Sequence, residues 1–182
     1  IPFRGEFFIL KPDRAKLVNG LIYPVPQPNL PFLGVHFTKR INGTTEVGPN
    51  AVLAFAREAY KKKDFDMREM LGVAAFPGFW KLVGRHWLTG LKEERQSLVK
   101  KYFARSLQSL VPEIQTADLV YPYSGVRAQA VSRKGELLQD FKIAWAQGSI
   151  HVLNAPSPAA TACLAIGKHI VEAAAEMFNL DP

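Results

Sequence analysis

The chain has 182 residues, 48% hydrophobic and 21% charged, with a formal net charge of +7. That length fits one large globular domain or one and a half small ones. The absence of any uncharged apolar run of about 18 residues argues against a transmembrane helix, and the single Cys163 excludes an internal disulfide and fits a reducing compartment. The basic residues are scattered apart from Lys61-Lys62-Lys63 and Lys100-Lys101. No RNA-recognition signature, zinc-finger spacing or basic helix with interleaved aromatics accompanies them, so no nucleic-acid partner is expected. The same positive field can attract a dianionic small substrate or an anionic membrane surface.

The first fifty residues read as a β-meander. A strand over 5–10 leads through the turn 11–14 into a second strand over 21–25, interrupted by Pro24. Pro24, Pro26, Pro28 and Pro31 then make a stiff, extended connection. A strand over 33–41 pairs with 44–47 across Asn42-Gly43, the strongest short-range hairpin signal. Alternation puts Leu33, Val35 and Phe37 on the core face and His36, Thr38 and Arg40 on the other. His36 is then either a half-exposed strand residue or a group facing a pocket. Asn50 reads as the N-cap of a helix that follows Gly48-Pro49.

Residues 52–111 read as mostly helical. Asp64 or Asp66 caps a segment through Leu71, and Pro77-Gly78 breaks it. An aromatic-rich segment over 79–88 carries Phe79, Trp80 and Trp87, expected in the core or at an interface with a partner domain. Gly90 punctuates, and Leu98, Val99, Tyr102, Phe103, Leu107 and Leu110 keep a helical period until Pro112. A connection over 117–123 enters a strand over 125–131, whose alternation puts Arg127, Gln129 and Val131 on one face. The planar fork of Arg127 suits a carboxylate two-on-two, or an internal ion pair with Asp140 or Glu136. After a turn over 132–135 the chain continues through 137–143, and Gln147-Gly148 turns into a short buried strand over 150–153.

That strand feeds a helix reaching about Phe178, with Ser157 as its N-cap and Pro158 in its first turn. The next residues, Ala159, Ala160, Thr161, Ala162 and Cys163, carry little bulk. They suit either close helix–sheet packing or the approach of an electron-rich group to the helix N-terminus.

Five ordered blocks carry a resemblance: Tyr23-Pro-Val-Pro, Leu33-Gly-Val-His-Phe-Thr, Val47-Gly-Pro-Asn-Ala-Val52, Gly125-Val-Arg-Ala-Gln-Ala and Asn154-Ala-Pro-Ser-Pro-Ala-Ala-Thr161. Over essentially its whole length the chain resembles the L-2-hydroxyglutarate oxidase/dehydrogenase family, among the D-amino-acid-oxidase-like FAD oxidoreductases. The resemblance implies an α+β fold. An antiparallel substrate-binding sheet with a helical insertion over about 52–111 would fill residues 1–123. Strands and a C-terminal strand–helix element over 124–182 would complete the substrate site and part of an FAD-binding domain.

It further implies FAD as cofactor and a dicarboxylate 2-hydroxyacid as substrate, oxidised by hydride transfer from C2 to the flavin. Asn154, Ala155, Pro156, Ser157, Pro158, Ala159, Ala160 and Thr161 match the family's late flavin-contacting segment, whose helix end would stabilise the anionic reduced ring. Arg127 matches the carboxylate-binding strand position, with Gln129, Tyr23, Thr38 and Asn50 around the substrate and His36 as candidate base. A second carboxylate needs a second clamp, for which Arg40, Arg4 or a residue outside the chain is available. No Gly-x-Gly-x-x-Gly turn occurs in residues 1–182, although these flavoenzymes hold the FAD pyrophosphate on one. With Ile1 as first residue, this leads us to expect the C-terminal portion of a longer enzyme, partnered by an N-terminal FAD domain and inactive alone. The electron acceptor, oxygen or a membrane quinone with peripheral membrane contact, stays open, as does an amino acid or glycerol phosphate substrate.

Overall fold

The computed structural model describes residues 1–25, 34–155 and 159–179. Leu33, Pro26, Pro28, Pro31, Pro156, Ser157 and Pro158 lie outside these residues. The chain divides into two compact units, Ile1–Leu137 and Leu138–Pro182.

The first unit is an antiparallel sheet with helices, an α+β arrangement. Its strands are β1 (Pro2–Leu10), β2 (Leu21–Ile22), β3 (His36–Lys39), β4 (Thr45–Gly48), β5 (Val52–Leu53) and β6 (Leu119–Ala128). β1 is the spine: β4 and β5 pair with its two halves on one side and β6 runs along the other. The β3–β4 hairpin forms across Asn42-Gly43, with Gly43 at φ +83° and Asn42 Oδ1 accepting from the Thr44 amide at 3.0 Å. β6 begins at Leu119, so the stretch expected as a connection is strand, paired to β1 as far back as Leu10.

Successive side chains of β1 alternate strictly in burial. Phe8 and Leu10 face inward with Phe37, Val47 and Leu119, and against them pack Phe103, Ala104 and Leu107. The last three lie on α3 (Lys100–Gln108), and the Phe8 and Phe103 rings meet at 4.7 Å. Pro2, Arg4 and Glu6 share that inward face. Two charged residues therefore sit where alternation would place apolar ones. Glu6, 1% exposed, accepts from Ser97 Oγ at 2.8 Å and Asn50 Nδ2 at 2.9 Å. It also pairs with Arg4 at 3.5 Å and Lys62 at 3.3 Å. A buried carboxylate is tolerable only with such a full set of partners.

The expected helical region is partly corrected. Val52–Leu53 is strand β5, turns follow, and α1 runs Met67–Ala74 with Asp66 accepting from the Glu69 amide as its N-cap. Helix α2 spans Pro77–Leu98 straight through Gly90, kinked instead at His86, and the true break is at Val99. Gly90 carries no turn because a lone glycine merely weakens a helix whose neighbours keep it hydrogen-bonded. Trp80 and Trp87, expected in a core or interface, stand 59% and 54% exposed in this chain.

In the second unit, β7 (Lys142–Ala146) and β8 (Ser149–Asn154) form a hairpin around Gly148 at φ +72°. The strand expected to be buried is therefore a hairpin strand, and Leu153 is 64% exposed. A 3-10 turn over Ala160–Ala162 precedes α4 (Cys163–Phe178), which ends on Asn179 in the left-handed conformation. No residue of α4 is buried among those described, and Leu164 and Val171 are largely exposed.

Candidate functional site

Directly paired residues of an antiparallel sheet share a face, so the registers define the side turned away from the core. His36, Gly48, Phe7 and Tyr123 fall in one row across β3, β4, β1 and β6. Thr38, Glu46 and Ile9 make the next row, while Gly5 pairs with Gly125 and Phe3 with Arg127. This half-exposed face carries His36 and Thr38 together, as alternation anticipated, and the registers add Arg127 from β6. It also carries Glu46 and Tyr123, which sequence reasoning missed.

His36 is held in a defined state. Its ring stacks on Tyr23 at 4.3 Å and 17° between planes. Nδ1 lies 3.1 Å from the Gly34 carbonyl. A carbonyl oxygen only accepts, so Nδ1 carries the hydrogen and Nε2 keeps the lone pair. Burial lowers the imidazole pKa from its ordinary value; the Gly34 bond and the Glu46 charge oppose that shift. The neutral, proton-accepting form is thus favoured at neutral pH.

Glu46 anchors a second cluster. Arg40 Nε donates to Glu46 Oε2 at 2.9 Å, Tyr123 OH donates to Glu46 Oε1 at 2.7 Å, and Arg40 Nη2 donates to the Tyr123 oxygen at 2.9 Å. Burial and the hydrogen bond to Glu46 push the Tyr123 phenol up, keeping it protonated. Arg40 is therefore neutralised by Glu46, and Arg4 is buried against Glu6 on the opposite face. Neither arginine expected as a second clamp presents an uncommitted charge.

Arg127 is half-buried on the face of Phe3, and burial lowers its pKa, the sign of a cation partly stripped of water. Of its two expected ion-pair partners, the Glu136 carboxylate accepts from Ser132 Oγ at 3.1 Å. Gln129 is buried, 2% exposed, and donates to the Ala130 carbonyl at 3.0 Å. Asn50 caps no helix: its Oδ1 accepts from the Glu6 amide at 2.8 Å and its Nδ2 donates to the Glu6 carboxylate, so it serves the core face. The structure thus brings His36, Tyr23, Thr38 and Arg127 to one face; Asn50 serves the opposite one, while Gln129, bonded through its backbone to Ile1 at the end of the β1–β6 ladder, keeps the alternation of Arg127 but is buried.

In the second unit, Asn154 ends β8 and donates from Nδ2 to the Asp140 carbonyl at 2.8 Å. Ala160, Thr161, Ala162 and Cys163 are exposed, and no side chain caps the 3-10 turn or the start of α4. Small side chains and uncapped amide donors fit an electron-rich ring laid against them. They fit one portion of a dinucleotide, since the sequence has no glycine turn for its pyrophosphate.

Residues 1–173 match the family of FAD dependent oxidoreductases (DAO). The chain is 52% identical, over 178 residues, to an L-2-hydroxyglutarate dehydrogenase of Indibacter alkaliphilus, covering 98% of this chain and 45% of that protein. It is 48% identical over 170 residues to the L-2-hydroxyglutarate dehydrogenase of Escherichia coli strain K12, covering 93% and 40%. It is 46% identical over 185 residues to the mitochondrial L-2-hydroxyglutarate dehydrogenase of Mus musculus, covering 99% and 40%. The chain spans less than half the length of each of these relatives. The sheet, its polar face and these similarities agree: the chain belongs to the DAO family of FAD-dependent oxidoreductases.

Proposed function

We propose that this chain is the substrate-binding part of a flavoenzyme that oxidises L-2-hydroxyglutarate to 2-oxoglutarate. The observation that carries the reading is the single sheet face presenting a neutral imidazole, a hydroxyl and an arginine together. The similarity to three L-2-hydroxyglutarate dehydrogenases names the substrate. The reaction removes the hydroxyl proton and a hydride from C2, leaving a carbonyl. Bound FAD supplies the hydride acceptor. Arg127 holds a substrate carboxylate, His36 Nε2 takes the hydroxyl proton, Thr38 and Tyr23 line the approach, and Asn50 and Gln129 support the frame. Asn154, Ala155 and the segment 159–161 would meet the flavin as the strand–helix element of its binding domain, with the pyrophosphate held elsewhere.

On a flat sheet, three strand spacings and four residues separate His36 from Arg127, roughly 20 Å between α-carbons. The two must therefore reach inward from opposite ends of one substrate. The test is anaerobic mixing of the flavin-loaded holoenzyme with L-2-hydroxyglutarate while following flavin bleaching. Wild type should bleach, and Arg127→Ala should raise the apparent KM about 10- to 100-fold, the worth of a charge-assisted bidentate pair. Bleaching with an amino acid or glycerol phosphate alone would retire the substrate and keep the flavin. An unchanged KM would retire Arg127.

Peripheral attachment to an anionic membrane is part of the proposal. No helix among the described residues is long and apolar enough to cross a bilayer. Helix α2 instead exposes Trp80, Val83, Trp87 and Leu91 at helical spacing, with Lys81, Arg85, Lys92 and Arg95 along the flank. Apolar and basic stripes side by side suit the headgroup region, within reach of lipid-soluble electron acceptors. The holoenzyme should float with phosphatidylglycerol vesicles at low salt. Arg85→Gln with Lys92→Gln should weaken this about thirtyfold, at roughly 1 kcal/mol per basic residue. Wild type remaining unbound, or associating only with itself, would refute the attachment.

A further inference from the structure

We infer that Gly125 is the floor of the substrate slot, where the carbon chain next to the clamped carboxylate lies directly on backbone. This rests on Arg127 acting as that clamp. Tyr123, Gly125 and Arg127 are alternate residues of β6 and share its half-exposed face, with Gly5 paired to Gly125. Alternate residues stand roughly 7 Å apart, so the missing side chain leaves a gap roughly 14 Å long between its neighbours. Tyr123 is held out of that gap. Its ring stacks on Phe7 at 5.3 Å, and its hydroxyl is tied to Glu46 and Arg40 in the direction away from Gly125.

Three glycines meet this part of the sheet, and two have reasons within the fold. A Cβ on Gly5 would stand 2.7 Å from Pro49 Cβ. Gly48 has φ +134°, and a Cβ there would stand 2.7 Å from the Glu6 carbonyl oxygen. Gly125 has neither reason. A Cβ on it would meet Phe7 Cε2 at 3.9 Å, an ordinary contact, and its φ lies outside the left-handed region. Glycine inside a strand costs stability and marks places where a ligand or another backbone approaches closely. The residue beside Gly125 on the same face is the arginine that would grip a carboxylate. A carbon chain running from that carboxylate toward His36 crosses the gap, and a methyl group on its floor would lift it away.

Gly125→Ala and Gly125→Val separate this from a packing role. Both are compared with wild-type holoenzyme by melting temperature, by KM for L-2-hydroxyglutarate, and by the Kd of glutarate read from perturbation of the flavin spectrum. Melting temperatures should hold or rise, since alanine and valine favour a strand more than glycine does. Glutarate Kd and substrate KM should rise about tenfold or more for alanine and further for valine. Glutarate binding unchanged in both variants, or lost stability in both, would overturn the inference. If wild type binds glutarate without being reduced by L-2-hydroxyglutarate, the proposed reaction fails. The glutarate series then still decides the slot.

Discussion

Glu6→Ala is expected to destabilise the protein by about 3–5 kcal/mol, the usual consequence of stranding one member of a buried ion pair. Arg4 would keep a 4% exposed guanidinium whose Nη1 donates to the Lys61 carbonyl and whose Nε already lacks a hydrogen-bond partner. Asn50 Nδ2 and Ser97 Oγ would lose their acceptor at the same time. Against a typical total of about 5–15 kcal/mol, that is a large share of the folding free energy. Urea unfolding followed by tryptophan fluorescence reads it as a lower midpoint. The double variant Arg4→Met with Glu6→Leu should lose less than Glu6→Ala, because no charge is left buried alone. A single variant that unfolds at the wild-type midpoint would show that water reaches Arg4.

The same pair shows where sequence reasoning stops. Only residues 5–10 of β1 were legible; its start at Pro2, and Arg4 and Glu6 as inward residues, were not. Their acceptance depends on Asn50, Lys62 and Ser97, which lie from 44 to 91 residues away from Glu6. Asn50 misled for the same reason: a helix cap and a long-range bridge to Glu6 call for the same residue after Gly48-Pro49. The hairpin over His36 and Thr38 was legible because Asn42-Gly43 and a two-residue period are local signals. Arg127 was found by its strand alternation. Glu46 was not, since only the cross-strand pairing with Thr38 and Ile9 reveals that it faces the site. The order of His36, Gly48, Phe7 and Tyr123 in one row is likewise a product of register between four separate strands.

His36→Gln should lower kcat by about 10²–10⁴-fold, the span that a positioned general base contributes. KM should change little, because the carboxylate is gripped at Arg127 rather than at the imidazole. Glutamine fills similar space and can still donate to the Gly34 carbonyl, but it offers no basic nitrogen. The pH profile gives an independent check. Catalysis needs the unprotonated ring, so the rate rises with pH through the His36 pKa. Burial lowers that pKa below the ordinary 6.5, which places the acid limb of kcat/KM below this pH and leaves the base fully competent at neutral pH. Glu46 opposes the shift, so Glu46→Gln should move the limb further toward acid, whereas His36→Gln should remove it. A His36→Gln enzyme that keeps both its rate and its acid limb would transfer the proton to another group. Arg127 and Gly125 would then describe how the substrate is held without saying what deprotonates it.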